Sequence, residues 1–200
     1  MSIHKLITPL DKNKILKLKL QDTVYITGKL FTARDECHLK MLELHKEREK
    51  IPFNPSEMVL YHCGPIVKKE NDIWKIVSAG PTTSIRMELI EDEFLKRFKI
   101  SMIIGKGGMG DKTLKALEDV GAVYAQYTGG AGALAAKSIN KVLDVFYLDE
   151  LGMPEAAWIF DVNEFGPITI TMDAHGNSLY ADLEEKIRKN LEKIHSKIGK

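Results

Sequence analysis

The chain is short of several features that would narrow its class. Its 200 residues include only two cysteines, Cys37 and Cys63, which argues against a disulfide framework and favours a cytoplasmic location with reduced thiols. No apolar run approaches the roughly 20 residues that span a bilayer, and no signal-peptide core follows Met1, so we expect neither membrane insertion nor secretion. The 29 basic and 28 acidic residues nearly cancel, which argues against nucleic-acid binding.

Both cysteines adjoin a histidine, as Cys37-His38 and His62-Cys63, which raises the question of a Cys2His2 metal site. Neighbouring side chains in a strand face opposite ways, so His62 and Cys63 could not easily bind one ion. Recognised zinc motifs also place at least two residues between paired ligands. We therefore predict no metal site and interpret the cysteines as small buried side chains. Four histidines are expected on helix or loop surfaces without a catalytic partner: His38, His45, His175 and His195.

Hydrophobic periodicity predicts one compact domain of mixed α/β (α+β) class over residues 1–200. The composition, 44% hydrophobic and 28% charged, is that of an ordinary globular protein with a sizeable core. Strands are predicted at residues 23–31, 58–62, 73–78, 101–104, 122–127, 158–162 and 168–172. Helices are predicted at residues 35–50, 82–98 and 111–120, from the glycines at 129–132 to about 142, and at 179–198. Strands at both ends of a βαβ centre indicate a single mixed domain.

Three short segments place a cation or a hydroxyl where a strand ends or a helix begins. They are Thr32-Ala33-Arg34-Asp35, Gly80-Pro81-Thr82-Thr83-Ser84-Ile85-Arg86-Met87 and Gly105-Lys106-Gly107-Gly108. The first N–H groups of a helix are unpaired and attract anions. Arginine adds a planar fork that matches a carboxylate, and lysine adds a point charge. The set favours binding of a small, doubly charged organic acid.

Two of these segments also have a purely structural interpretation. Asp35 could cap the helix that follows it, or form a local ion pair with Arg34. One of Thr82 and Thr83 could cap the next helix. Capping alone does not require Arg86 one turn further on the same helical face, and this spacing favours ligand binding.

The glycine-rich segment at residues 105–110 matches the pattern G-x-G-x-x-G after a strand and before a helix. A dinucleotide site would also need an acidic residue at the end of the next strand, and none is present there. The spacing of glycine and lysine is not that of a P-loop either. A structural glycine turn and a small anion held by Lys106 and the backbone both remain open.

Seven segments resemble, in order, the beta subunit of class I fumarate hydratases, a family that includes the beta subunit of L-tartrate dehydratase. These segments begin at Thr32, Tyr61, Gly80, Ile104, Gly129, Gly152 and Asp173, and the resemblance extends from about residue 20 to residue 180. Cys37 stands where the family often has alanine, which changes no expected role. The resemblance implies a swivelling β/β/α domain, in agreement with the mixed α/β prediction.

The resemblance also implies roles for particular residues. Thr82 would be the base that takes a proton from the carbon beside a carboxylate, and Arg34, Arg86 and Lys106 would bind the substrate carboxylates. A threonine alkoxide forms only where cations and N–H groups stabilise it, and Arg86 and Lys106 would supply that field. Supporting positions are expected around these four residues: Asp35, His38, Thr83, Gly105 and Gly107.

The resemblance further implies a cofactor that this chain does not hold. Loss of hydroxide in this family requires a [4Fe-4S] cluster bound by three cysteines, and this chain has two. The cluster is therefore expected on a separate fumarase alpha subunit, in a hetero-oligomer of α2β2 type, with a homodimer possible for the isolated chain. Alone, this chain is expected to be inactive.

The function that the resemblance favours is the beta subunit of a hydro-lyase interconverting (S)-malate and fumarate, a reaction of the tricarboxylic acid cycle. An L-tartrate dehydratase subunit is the alternative within the same enzyme class, since no residue distinguishes the two. A non-catalytic module that binds small dicarboxylates is the alternative from another class.

Overall fold

A long final strand closes most of the sheet into a ring. The protein is described by a computed structural model for residues 1–198, with side chains at all of these except 182, 185, 197 and 198. The strands are β1 (Ile3–Ile7), β2 (Thr23–Thr32), β3 (Val59–Tyr61), β4 (Ile66–Glu70), β5 (Ile73–Ser78), β6 (Met102–Gly105), β7 (Val123–Gln126), β8 (Ile139–Phe146) and β9 (Ala157–Met172). Their order in the main sheet is β1-β2-β3-β6-β7-β9-β8, and β9 also pairs with β2. Strands β2, β3, β6, β7 and β9 therefore form a closed ring.

The helices lie outside this ring or connect its strands. They are α1 (Lys12–Ile15), α2 (Asp35–Lys46), α3 (Glu91–Phe98), α4 (Asp111–Val120), α5 (Gly132–Lys137), α6 (Leu148–Leu151) and α7 (Leu179–Ile198), with 3₁₀ turns at Pro55–Glu57 and Ser84–Met87. Strands β1, β2, β3, β6 and β7 run parallel, and β9 runs antiparallel to β2, β7 and β8. Strands β4 and β5 form a separate antiparallel hairpin.

Alternating strand residues separate two hydrophobic cores, as the period of two in a β-strand requires. Met102 and Ile104 of β6 point into the ring, where Trp158, Phe160 and other β9 side chains fill the interior. Ile103, between them, points outward to a second cluster with residues of α2, α3 and α4. Strand β6, at whose carboxyl end Lys106 lies, is therefore packed against hydrophobic side chains on both faces.

Three predicted helices were wrong in their extent. The helix predicted at residues 35–50 ends at Lys46. Residues 82–98 form no continuous helix, because Thr83 pairs with Lys106 as in a sheet and only a 3₁₀ turn and the short helix α3 follow. The helix predicted to reach residue 142 ends at Lys137, because β8 begins at Ile139 and pairs with β9. The strands predicted at 158–162 and 168–172 are parts of the single strand β9, which contains the cis peptide bond Gly166–Pro167.

Helix α7 has the predicted bounds but leaves its apolar stripe partly uncovered. Side chains on that stripe are each about half exposed: Leu183, Ile187, Leu191 and Ile194. Among residues 1–198, no helix combines the length and the apolar character needed to cross a bilayer.

Candidate active site

Two predicted site residues, Arg34 and Lys106, and one that was not predicted, His62, follow the ends of neighbouring parallel strands. Arg34 lies just beyond β2, His62 directly after β3, and Lys106 directly after β6, and these strands are adjacent in the sheet. The His62 N–H donates to the carbonyl oxygen of Ile104 at 2.8 Å, which joins two of these strand ends. Ligand sites of open α/β sheets form at the carboxyl ends of parallel strands. We call this part of the molecule the carboxyl edge.

The segment with the two threonines crosses the carboxyl edge. The Thr82 N–H donates to the His62 carbonyl oxygen at 2.7 Å, and the Ser84 N–H donates to the Lys106 carbonyl oxygen at 3.0 Å. Thr82 is half-buried and Thr83 is exposed. Thr83 precedes the 3₁₀ turn, but its side chain makes no capping hydrogen bond, so the capping interpretation of Thr82 and Thr83 was wrong. The structure therefore places Thr82 between the ends of β3 and β6.

The two arginines at the carboxyl edge have carboxylate partners, although not the expected ones. Arg34 Nε lies 3.1 Å from Glu155 Oε1, whereas Arg86 Nη2 lies 2.6 Å from Asp35 Oδ2. The local pair between Arg34 and Asp35 was therefore a wrong prediction. Because Asp35 is the first residue of α2, its ion pair brings Arg86 beside Arg34. Burial raises the pKa of Glu155, and the nearby Arg34 guanidinium offsets part of that rise.

Lys106 remains available for an anion. Among the described side chains, no carboxylate lies within ion-pair distance of its amino group. Its aliphatic stem passes Gly129, where a Cβ would lie 3.1 Å from Lys106 Cδ. Lys106 therefore offers a positive charge that the described protein does not neutralise.

Carboxylates of the protein itself bind the N-termini of helices α2 and α4 at this edge. This corrects the expectation that the free N–H groups of these helices bind the substrate anion. Glu88 accepts hydrogen bonds from the N–H groups of Gly110, Lys112 and Thr113 at 2.7, 3.1 and 3.3 Å, at the start of α4. The Glu36 N–H in the first turn of α2 donates to Glu155 at 3.1 Å. Glu88 stands where a dinucleotide phosphate would bind, so an anion here has to be held by side chains.

Gly105, the last residue of β6, and Gly107, in the loop after it, are glycines for different physical reasons. At Gly105 a Cβ would lie 1.9 Å from Ser84 Oγ, so a side chain there would displace the segment that carries Thr82. Gly107 has a φ of +74°, a backbone conformation that other residues rarely adopt, and open space around it. The structural-turn interpretation therefore describes these two glycines, and Lys106, which is half-buried, is the one charged residue in the segment 105–110.

His38 does not lie on the surface, as its pattern predicted, but is fully buried beside His62 and Glu91. Glu91 Oε2 lies 3.4 Å from His38 Nε2 and 3.1 Å from His62 Nε2, and we call these three residues the His–Glu–His cluster. His38 is buried because its ring packs 4.2 Å from that of Phe94, centroid to centroid.

The two histidines of the His–Glu–His cluster differ in how readily they accept a proton. Burial opposes a positive charge on both rings, whereas the Glu91 carboxylate favours one. At His62 the effect of burial is larger, and its pKa is lowered. At His38 the carboxylate and the other favourable contacts outweigh burial, and its pKa is raised. Burial alone would raise the pKa of Glu91, but the two rings lower it to about 2.

The two cysteines take no part in this cluster. Cys63 points into the ring of strands and Cys37 into the outer core, and burial raises the pKa of both thiols. His38 and His62 do converge, but the third member is Glu91 rather than a cysteine.

Several residues at the edge were missed by sequence reasoning. Glu155 lies in one of the segments that carry the family resemblance, but nothing local indicated that it would reach Arg34. Glu88 and Glu91 follow Arg86 in a charged stretch typical of a solvated helix face, yet Glu91 is fully buried. Ser84 is also fully buried, and its place at the predicted start of a helix did not indicate this.

Comparison with known proteins identifies the family of this chain. A chain of Methanocaldococcus jannaschii, provisionally named L(+)-tartrate dehydratase subunit beta, is 52% identical over 95% of this chain and 96% of its own. The L(+)-tartrate dehydratase subunit beta of Escherichia coli K12 is 39% identical over 88% of this chain and 86% of its own. A protein of Geobacillus stearothermophilus, provisionally named fumarate hydratase class I, is 41% identical over 93% of this chain but only 34% of its own. The family described as Fumarase C-terminus matches residues 3–183, and the chain belongs to that family.

Proposed function

We propose that the chain is the beta subunit of a two-subunit hydro-lyase that interconverts (S)-malate and fumarate. The observation that supports this most directly is the meeting of Arg34, Thr82, Arg86 and Lys106 at one edge of the sheet, within a chain of the fumarase family. Three cations and a hydroxyl on neighbouring segments of this edge suit a substrate with two carboxylates.

The cations and the hydroxyl divide the work in this proposal. Arg34 and Arg86 bind carboxylate oxygens through their guanidinium forks, and Glu155 and Asp35 hold these forks in place. Thr82 Oγ1, as the alkoxide, takes the proton from the carbon beside one carboxylate. Lys106 stabilises both that alkoxide and the extra negative charge that develops on the carboxylate.

The departing hydroxyl requires a Lewis acid, and this chain does not fit an iron–sulfur cluster. A [4Fe-4S] cluster with one open iron needs three thiolates, whereas Cys37 and Cys63 are buried in two separate cores. We propose that an alpha subunit binds the cluster and completes the site. The relative from Geobacillus supports this division, because about two thirds of its length has no counterpart in this chain.

The test is co-expression with a candidate alpha chain, followed by anaerobic purification and assay. We expect the two chains to elute together and to form fumarate from (S)-malate, whereas the chain alone is inactive. The same assay with L-tartrate tests the second candidate, L-tartrate dehydratase, which the names of relatives of similar length favour. A preference for tartrate would replace our first choice.

The non-catalytic alternative makes the opposite prediction for the isolated chain. A stand-alone dicarboxylate-binding module would bind malate or fumarate tightly without a partner, as titration calorimetry would show. We expect weak binding by the isolated chain, because only half of the site is present.

A further inference from the structure

The His–Glu–His cluster contains four polar atoms that make no hydrogen bond. They are His38 Nε2, His62 Nε2 and both carboxylate oxygens of Glu91, all of them buried. The nitrogens lie 3.4 and 3.1 Å from Glu91 Oε2, but neither ring directs its nitrogen at that oxygen with hydrogen-bonding geometry. Buried polar groups without a partner are rare in folded proteins and require an explanation.

The hydrogen bond on the far side of the His38 ring fixes where its proton lies. His38 Nδ1 is 2.7 Å from the Arg34 carbonyl oxygen, which can only accept, so Nδ1 carries a hydrogen. In the neutral ring, Nε2 then presents a lone pair to Glu91.

The same conclusion follows for His62 through a longer chain of contacts. The Tyr124 hydroxyl lies 2.9 Å from both the Gly107 carbonyl oxygen and Ser84 Oγ. The hydroxyl can donate to either oxygen; when it donates to the Gly107 carbonyl, which only accepts, the Ser84 proton can go to the Tyr124 oxygen. Ser84 Oγ, which also accepts the Lys106 N–H at 3.2 Å, then accepts the His62 Nδ1–H at 2.9 Å, and in this arrangement His62 Nε2 also presents a lone pair.

Two lone pairs that face a buried carboxylate repel it unless a cation lies among them. A single added proton could serve one ring only, and the other nitrogen would still face Glu91 without a hydrogen. A metal ion binds all four donors together. Ligand atoms bound to a tetrahedral ion at about 2.0–2.1 Å are about 3.3 Å apart, which is close to the 3.4 and 3.1 Å between the two ring nitrogens and Glu91 Oε2.

We propose that His38, His62 and Glu91 bind a zinc ion. The ligand atoms of the three residues lie within 4.8 Å of one another. His38 donates its other ring N–H to the Arg34 carbonyl oxygen, and the other ring nitrogen of His62 lies 2.9 Å from Ser84 Oγ, the kind of contact that typically orients metal-binding histidines. Two imidazole nitrogens and the Glu91 carboxylate would bind the ion, and the full burial of all three residues leaves no place for a substrate, so the ion would be structural. This replaces the prediction that the chain has no metal site.

The proposed ion would hold the segments that carry the candidate active site. His38 lies one turn after Arg34 in α2, and His62 accepts the N–H of Thr82 through its carbonyl oxygen. Glu91 begins α3 and joins both. The inference depends only on residues of this chain, so it stands or falls separately from the proposed reaction.

The experiment measures metal in the isolated chain, purified without a histidine tag or chelator from cells grown with added zinc. We expect about one zinc per chain by mass spectrometry of the elements, and retention during dialysis against EDTA. X-ray absorption at the zinc edge should show nitrogen and oxygen ligands and no sulfur. A zinc content near zero, an equimolar content of another metal, or a sulfur ligand would each overturn the proposal.

Variants connect the ion to these residues. Glu91→Gln keeps the size of the side chain and should lower the zinc content at least tenfold, whereas Glu93→Gln on the exposed side of α3 and His45→Gln at the end of α2 should keep it. Zinc at the wild-type level in Glu91→Gln would contradict the assignment. If that variant does not fold, a refolding experiment on the wild type replaces it. Wild-type protein unfolded in guanidinium with EDTA should regain its melting temperature only when zinc is added back. Full recovery without zinc would overturn the proposal.

Discussion

Arg86 Nη2 lies 2.6 Å from Asp35 Oδ2, so the 3₁₀ turn after Thr83 is joined to the first residue of helix α2. The Arg86 side chain is 48% exposed and that of Asp35 25%, so solvent screens the pair. Exposed pairs of this kind contribute at most about 1 kcal/mol to stability. The contact therefore matters more for the direction of the Arg86 fork than for the fold.

Replacement of Arg86 by lysine tests that direction. Arg86→Lys keeps the positive charge near Asp35 but loses the planar fork, so we expect kcat/KM of the reconstituted enzyme to fall roughly 10- to 100-fold. The urea unfolding curve should be unchanged within about 0.5 kcal/mol. Arg97→Lys, at an exposed arginine of α3 that pairs with Glu93, is the matched control and should keep normal kinetics. Equal kinetics for both variants would remove Arg86 from the site.

Glu88 is expected to stabilise the fold through the N-terminus of α4. Glu88→Gln removes a negative charge that accepts three backbone N–H groups and the Thr113 hydroxyl, and it should cost about 1–2 kcal/mol of unfolding free energy. Glu93→Gln, which removes only an exposed pair with Arg97, should cost less than about 0.5 kcal/mol. Urea denaturation of both variants measures the difference. Equal losses would mean that the helix N-terminus does not need Glu88.

The two loop glycines should differ when each is replaced by alanine. Gly107→Ala meets no neighbouring atom but retains a positive φ, so about 1 kcal/mol of stability should be lost. Gly105→Ala places a Cβ on Ser84 Oγ and 2.8 Å from the Tyr124 hydroxyl, and it should cost about 3 kcal/mol. Thermal unfolding compares the two. A larger loss at Gly107 would contradict the close approach of Ser84.

Elements with a local amphipathic pattern could be predicted from the sequence. Helices α4 and α7 have their predicted bounds, and β2 extends one residue beyond its prediction. The segment after Pro81 could not be predicted, because its backbone bonds to His62 and Lys106 replace the helical bonds that its residues would otherwise form. Such partners are distant in sequence, and local propensity does not record them.

The candidate site was predicted in part for the same reason. Arg34 and Lys106 stand at strand ends, a position that hydrophobic patterning identifies. That Glu155 occupies the N-terminus of α2 was not predictable, because it lies 119 residues from Glu36, whose N–H it accepts. Glu91 resembled a solvated acid, and only the packing of α3 against α2 buries it beside two histidines.

The hydroxyl of Thr82 is the group on which the proposed proton transfer depends. Thr82→Val retains the β-branched shape and the backbone N–H that donates to His62, so the fold should persist in far-UV circular dichroism and melting temperature. In the complex with the alpha subunit, kcat should fall about 10²- to 10⁴-fold, the usual contribution of a general base, with little change in KM.

Thr82→Ser provides the matched test of that assignment, because it restores a hydroxyl at the same position and should recover a measurable part of kcat. Thr83→Val, at the exposed neighbour, should have a much smaller effect than Thr82→Val because the Thr83 hydroxyl is not the proposed base. Exchange of the malate C3 hydrogen with deuterated solvent reports the proton transfer itself and should be lost in Thr82→Val. If Thr82→Val kept both exchange and kcat, another group would have to remove the proton, and the cations at the carboxyl edge would bind substrate without this base.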